Sequence, residues 1–352
     1  MNVLPKLLDR IVAPDGAAGL QAQWALDQLT KPAGSLGRLE ELARRLSEMS
    51  GQFPPQARRC VIFTLAADHG VVAEGVSAYP QIVTTQMVEN FLQGGAAVNV
   101  LARHVGAPVV VVDMGVASPL PAHPGLVSRR IGPGTRNMAK GPAMTREEAL
   151  AAIEVGIGLV YAERANGLDV IGTGEMGIGN TTAASAVVAA LTGAPAASVT
   201  GTGTGVDDEG RLRKIAVIKR ALAVNRPDPG DGIDVLAKVG GFEIAGLCGV
   251  ILAGAAWRIP VILDGFIAGA AAMAAVRLKP DARHYLIASH RSTEPGHSYV
   301  LNALGLEPYL DLKMRLGEGT GSALCIDLAK AATKILGEMA TFKSAGVTER
   351  SL

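Results

Sequence analysis

The sequence predicts an α/β fold: a parallel sheet of about six strands covered by helices on both faces, with helical segments at both chain ends. Two observations carry the sheet. From about residue 56, short β-branched runs alternate with helical patterns. The runs are apolar without polar alternation, as expected of strands buried on both faces. A third observation carries the ends: the first 55 residues and Thr320–Phe342 have helical texture without such runs.

The N-terminal part holds two helical segments, around Gly19–Leu29 and Leu39–Met49. Between them lies the turn-rich Lys31-Pro32-Ala33-Gly34-Ser35-Leu36-Gly37-Arg38. The texture changes after Gly51-Gln52-Phe53-Pro54-Pro55. The strand candidates are then Val61–Leu65, Val109–Val112, Leu168–Ile171, Ala197–Val199, Val261–Leu263 and Tyr285–Ile287. Helices are expected over Ile82–His104, Arg146–Asn166, Thr181–Leu191, Asp208–Val224, Ile233–Ala255 (with a break) and Gly265–Val276. No internal repeat or low-complexity tract interrupts them.

With 352 residues the length suggests about two domains. There are 33 basic and 32 acidic residues, a net charge of +1. Such a chain has no global field to hold nucleic acid or an anionic membrane. Aromatics at 4% disfavour base-stacking platforms. A composition of 49% hydrophobic and 18% charged residues excludes a mostly disordered chain. Cys60, Cys248 and Cys325 are far apart, with no CxxC, and read as reduced thiols. Lys6, Asp9 and Arg10 stand where a signal peptide needs an apolar run. Met176–Val206 is uncharged but broken by Asn180, Pro195 and many Thr and Gly, so no membrane span is expected. A soluble cytoplasmic protein follows as the expectation.

Ligands of open α/β sheets bind beyond the carboxyl ends of the strands. Here those ends read Ala67-Asp68-His69-Gly70, Asp113-Met114-Gly115, Gly172-Thr173-Gly174-Glu175, Thr200-Gly201-Thr202-Gly203, Asp264-Gly265 and Ser289-His290-Arg291. All six finish in small or polar residues, which favours a site along one sheet edge.

Gly172-Thr173-Gly174-Glu175-Met176-Gly177 matches G-x-G-x-x-G. The acidic residue that a dinucleotide site wants about 20 positions on is missing from Leu191–Pro195, which disfavours NAD. An anion site at a helix N-terminus remains, with Asn180, Thr181 and Thr182 as polar caps. Gly201–Gly205 forms a second glycine loop, and Asp207-Asp208 after it reads as helix-capping acids. Lys214, in the helix that follows, is either solvated or a phosphate clamp. The six histidines have no i, i+4 ligand partner, and no zinc, serine-hydrolase or P-loop motif occurs. Glu318 lies between Gly317 and Gly319, either an exposed loop glutamate or one suited to close approach by a ligand.

Several long motifs in fixed order make essentially the whole chain resemble the nicotinate-nucleotide–dimethylbenzimidazole phosphoribosyltransferase family. They are Lys31–Glu40 (KPAGSLGRLE), Ala67–Gly70 (ADHG), Glu74–Pro80 (EGVSAYP), Gly174–Thr182 (GEMGIGNTT), Gly240–Ile244 (GGFEI) and Arg315–Gly321 (RLGEGTG). The resemblance implies a Rossmann-like catalytic domain over 56–315. It also implies a small helical domain built from 1–55 and 316–352, and a homodimer whose small domain helps close the neighbour's site.

The implied reaction moves the 5-phosphoribosyl group of nicotinate mononucleotide onto 5,6-dimethylbenzimidazole, giving α-ribazole 5′-phosphate and nicotinate, with no cofactor or metal. Glu318 matches the family's general base and Glu175 its second carboxylate. Phosphate and ribose contacts carry over to Gly177, Asn180, Gly203, Lys214 and Ser292. The base pocket carries over to Tyr79, Pro80, Gln86, Met87 and Met176. Nicotinate bonded through its ring nitrogen departs as a neutral pyridine, attack from the opposite face inverts the anomeric carbon, and carboxylates stabilise the developing positive charge. A little-buried Glu318 is expected to keep an ordinary pKa of ~4.3. A nucleotide-binding dehydrogenase and a non-catalytic nucleotide sensor are the alternatives.

Overall fold

A computed structural model of the chain describes residues 3–348. Positions 1–2 and 349–352, which belong to the expected terminal segments, lie outside the described residues. The chain opens with helices α1 (Val3–Arg10), α2 (Ala17–Asp27) and α3 (Arg38–Ser50). Then come β1 (Cys60–Ala67), α4 (Ile82–Gln93), α5 (Ala97–Val105), β2 (Val109–Gly115) and β3 (Leu126–Ser128). The middle holds α6 (Arg146–Arg164), β4 (Val170–Met176), α7 (Asn180–Thr192), α8 (Ala196–Val199) and α9 (Asp208–Asn225). The rest comprises α10 (Gly232–Val239), α11 (Phe242–Ala256), β5 (Val261–Leu263), α12 (Phe266–Leu278), β6 (Leu286–Ala288), α13 (Gly296–Leu304) and α14 (Thr320–Glu338).

The six strands form one sheet in the order β3-β2-β1-β4-β5-β6, every pair parallel. This is the doubly wound order, in which the crossovers reverse direction between β1 and β4. Every residue of β1 is buried, as its uninterrupted apolar run requires. Ile171 packs toward Gly254 of α11, whereas its neighbour Gly172 faces Ser322 and Ile326 of α14. Successive strand residues point to opposite faces, so α11 and α14 cover opposite sides of the sheet. All fifteen residues of α11 are buried. A helix apolar on every side needs such a place. Its one charged residue, Glu243, is paired with His69 at 2.7 Å.

Local signals set several boundaries. Thr145 and Glu148 form a capping box on α6, and the Asp207 side chain accepts the Gly210 N–H to cap α9. The expected long helix over Ile82–His104 is two, because Gly94 turns left-handed at φ 78°. Gly240 and Gly241 break the segment over Ile233–Ala255 in the same region as expected.

Two strand expectations are corrected. Ala197–Val199 is not a strand but part of α8. Alanine favours helix, and Pro195 is fixed at φ −57° where that turn begins. The sixth strand is instead β3, an edge strand of three residues, too short to leave a periodic signal. A third correction concerns the glycine motif. Gly172 and Gly174 lie inside β4, not in a loop, and only Gly177–Gly179 makes the turn into α7.

The two chain ends meet. Leu29 bridges Thr341, Thr30 N donates to Ala340 O at 2.9 Å, and Phe342 N donates to Gln28 O at 3.1 Å. Helix α2 packs on α3, and both pack on α14, which itself lies against β1, β4 and β5.

Candidate active site

A cavity of about 680 Å³ opens at the carboxyl edge of the sheet, beside the crossover reversal. Glu175 and Met176 reach it from the end of β4, Asp264 and Gly265 from β5, and His290 and Ser292 from beyond β6. Gly203 and Thr204 come from the second glycine loop, and Arg315–Glu318 from the turn before α14. The ends of β1 and β2 do not line it. Asp68 and His69 support it from behind: a side chain at Gly177 would strike Ala67 O, and the His69 ring lies 3.4 Å from that position. Burial alone would lower the His69 pKa, but its ion pair with Glu243 outweighs this and raises it.

Glu175 and Glu318 share this cavity. Asn180 Nδ2 donates to Glu175 Oε2. Burial pushes the Glu175 pKa well up, and Asp264, Glu243 and Glu318 push it further in the same direction. Glu318 is only 6% exposed. The expectation of a little-buried glutamate with an ordinary pKa is therefore corrected. Burial raises it, opposed only by a long hydrogen bond from Val98 N at 3.5 Å. Packing of α14 onto the sheet, invisible in the local Gly-Glu-Gly sequence, is the reason. A side chain at Gly174 would collide with the Glu318 carbonyl oxygen, so that glycine is required for the approach.

Part of the lining comes from a helix start. Gly177, Asn180 and Thr181 stand at the N-terminus of α7, a helix of 13 residues whose first N–H groups lack partners within the helix. Gly203 and Ser292 line the cavity as well. Lys214 does not line the cavity. It is 1% exposed and lies just behind, its Nζ donating to Thr181 Oγ1 at 2.9 Å. Burial lowers its pKa to about 8, against the pull of Glu294. Of the two readings left open for Lys214, the solvated helix lysine is thus removed.

Much of the remaining lining is apolar: Tyr79, Met87 and Met176 contribute to it, together with Val83, Phe266 and Leu316. Tyr79 is 54% exposed at the rim, where Ala78 N donates to Thr204 Oγ1 at 3.1 Å. Pro80 and Gln86 do not line the cavity, and both are exposed. Met87 and Val83 sit one turn apart on α4, which turns the adjacent Gln86 away.

The sequence reading assigned no role to Arg315, Asp264, His290 or Glu294, all of which line the cavity. Arg315 Nη1 donates to Gly203 O at 2.7 Å, and Glu294 Oε1 accepts the Gly203 N–H at 3.0 Å. Asp264 and His290 were legible only as strand ends, and Arg315 as the first residue of the Glu318 motif.

Comparisons with known proteins agree with this geometry. A family model described as Phosphoribosyltransferase matches residues 11–347. A nicotinate-nucleotide–dimethylbenzimidazole phosphoribosyltransferase of Chloroflexus aggregans is 57% identical over 350 residues, 99% of each chain. One from Geobacter metallireducens is 57% identical over 347 residues, 99% of this chain and 98% of that relative. The crystal structure of CobT from Thermus thermophilus superposes with a TM-score of 0.91 at 50% identity, covering 95% of this chain and 99% of that one. Matches of this extent, on this fold and around this cavity, mean that the chain belongs to the nicotinate-nucleotide–dimethylbenzimidazole phosphoribosyltransferase family.

Proposed function

We propose that this enzyme transfers the 5-phosphoribosyl group of nicotinate mononucleotide to 5,6-dimethylbenzimidazole, yielding α-ribazole 5′-phosphate and nicotinate. The observation that carries the reading is the pair Glu175 and Glu318 in one cavity that is also lined by the N-terminus of α7 and by apolar side chains. The phosphate lies at the N-terminus of α7, against Gly177, Asn180, Gly203 and Ser292, with Lys214 behind as counter-charge. The flat bicyclic base packs on Met176, Met87 and Tyr79. Pro80 and Gln86 belong at most to its outer rim.

Glu318 orients the neutral base through its N–H. As the other ring nitrogen bonds to the anomeric carbon, the ring becomes cationic and Glu318 accepts the proton. A raised pKa suits this role, since a general base works best near the operating pH. Glu175, held by Asn180, faces the sugar and stabilises the positive charge that develops there. Nicotinate leaves as a neutral pyridine from the opposite face, so the anomeric carbon inverts from β to α. No cofactor takes part in this scheme.

The working unit is a homodimer in which the helices of segments 1–55 and 316–352 of one chain cover the partner's cavity mouth. Exposed Leu316 and Tyr79 at the mouth, and Leu20 and Trp24 one turn apart on α2, support this arrangement. Sedimentation at micromolar concentration is expected to give a dimer, and a fully active monomer would contradict it. Three free, buried cysteines fit a cytoplasmic location, and no helix among the described residues is long and apolar enough to cross a membrane. Incubation with both substrates, followed by chromatography, tests the reaction. Nicotinate and α-ribazole 5′-phosphate appearing in equal amounts support it, and bound mononucleotide without nicotinate release points to a sensor.

A further inference from the structure

The turn that carries Glu318 has an unusual backbone. Gly317, Glu318 and Gly319 are all left-handed, at φ 88°, 66° and 105°. Left-handed backbone is disfavoured for a residue with a side chain, and the local bonds across this turn are those of Thr320 N–H and Thr320 Oγ1 to Gly317 O, at 3.1 and 2.9 Å. Gly319, the N-cap residue of α14, has no side chain with which to cap the helix. The missing acceptor comes from 55 residues away in sequence, off the end of β5. Asp264 Oδ2 accepts Gly319 N–H at 3.1 Å, and Oδ1 accepts Gly321 N–H at 2.6 Å and Ser322 N–H at 3.3 Å.

Asp264 is itself fixed. Its N–H donates to Thr173 Oγ1 at 3.0 Å and its carbonyl accepts Ser289 Oγ at 2.6 Å. It is 1% exposed, and no cation pairs with it among the described ion pairs. A second, weaker restraint acts from the neighbouring strand: Thr64 Oγ1 donates to the Glu318 carbonyl at 2.9 Å.

We propose that Asp264 is a positioning residue for Glu318: it takes one N–H bond from the strained turn and two from the first turn of α14, and by locking the turn onto the helix it fixes where the general base points. The inference rests on the reading of Glu318 as the base. An ordinary capping role would not require a buried carboxylate from another strand, nor the left-handed glutamate between the glycines. The placement also explains a sequence constraint, since a side chain at Gly321 would meet Asp264 Oδ1 at 2.8 Å and Ser289 Oγ at 2.7 Å.

Asp264→Asn keeps the shape but turns one acceptor oxygen into a donor facing N–H groups. Misplacing a catalytic group by about 1 Å costs on the order of 10²-fold. D264N is therefore expected to lower kcat about 10²-fold, with the mononucleotide KM within about threefold of wild type. In an E318Q background the same change should cost less than about threefold, because the base it positions is already gone. Equal fold-losses in both backgrounds, or an unchanged kcat in D264N, overturn the proposal. If D264N does not fold, the smaller Asp264→Ser provides the same comparison, with a kcat loss that shrinks to less than about threefold in E318Q, and an equal loss in both backgrounds overturns the proposal. Amide hydrogen exchange at Gly319, Gly321 and Ser322 is expected to accelerate in the folded variant, and unchanged protection at all three also overturns the proposal. Wild-type turnover in the same assay tests the underlying reaction separately, while the exchange measurement stands without turnover.

Discussion

Lys214 Nζ donates to Thr181 Oγ1 at 2.9 Å, one layer behind the N-terminus of α7. The lysine has lost nearly all its water, and its pKa falls to about 8. A bound phosphate favours the charged ammonium. Below pH 8 the free enzyme already carries that charge. Above it, binding must also take up a proton, so affinity falls up to tenfold per pH unit. The mononucleotide Kd measured from pH 6.5 to 9.5 should be flat and then rise above about pH 8. In Lys214→Ala the Kd should be much weaker and lose that inflection. Unchanged affinity in the variant would remove Lys214 from the site.

The turn of the Lys31–Glu40 motif is held by a buried ion pair, Lys31 Nζ to Glu40 Oε1 at 2.8 Å, with Leu36 N–H on the same oxygen at 2.9 Å. Neither residue lines the cavity. Removing one partner leaves an uncompensated buried charge, which typically costs about 3–5 kcal/mol. Lys31→Ala is expected to destabilise the fold by that order in urea unfolding. A change below about 0.5 kcal/mol would mean that the pair is structurally idle.

Glu175 bears on stability with the opposite sign. Its pKa is raised in the folded state, so the folded protein keeps the proton over a range in which the unfolded chain, at ~4.3, has lost it. Stability contributed by this group is therefore present at low pH and declines as pH rises from about 4 towards the raised value. Glu175→Gln removes the buried charge and keeps an acceptor for Asn180. Its melting temperature at pH 8 should rise by about 2–4 °C while turnover falls. A lower melting temperature would mean that the carboxylate is better paired in the folded state than its surroundings indicate.

Base choice should respond to the apolar lining. Val83, Met87 and Met176 form the wall, and flexible methionines adapt to different flat rings. Met176→Phe is expected to change the ratio of kcat/KM between dimethylbenzimidazole and unsubstituted benzimidazole by about 10-fold. Contacts worth one or two methyl groups have that size. The mononucleotide Kd should stay within threefold. Insensitivity of the base ratio to changes at Met176, Met87 and Val83 alike would locate the base elsewhere.

What was legible in the sequence follows from range. β-branched apolar runs marked β1, β2 and β5, and polar caps marked the starts of α7 and α9. Ala197–Val199 misled because three residues carry no period, and β3 was hidden for the same reason. In the site, Glu175 at a strand end and Asn180 at a helix start were readable there, Gly203 was readable as part of the second glycine loop, and Ser292 came only through the family resemblance. The burial of Glu318, the interior place of Lys214 and the clamp by Asp264 depend on α14 and α9 packing against distant strands. No local pattern encodes such contacts. Pro80 and Gln86 came from the family resemblance and do not line the cavity; for Gln86 the reason is that the position next to Met87 on α4 points elsewhere.

The central claim is that Glu318 is the general base. Glu318→Gln preserves the shape and removes the proton acceptor. Single-turnover kinetics with saturating mononucleotide and dimethylbenzimidazole is the direct measurement, because it reports the chemical step. A positioned base contributes ~10²–10⁴-fold, so the rate constant should fall within that range while the mononucleotide Kd is unchanged. A Glu318→Gln enzyme that turns over at the wild-type rate in that experiment would contradict the account.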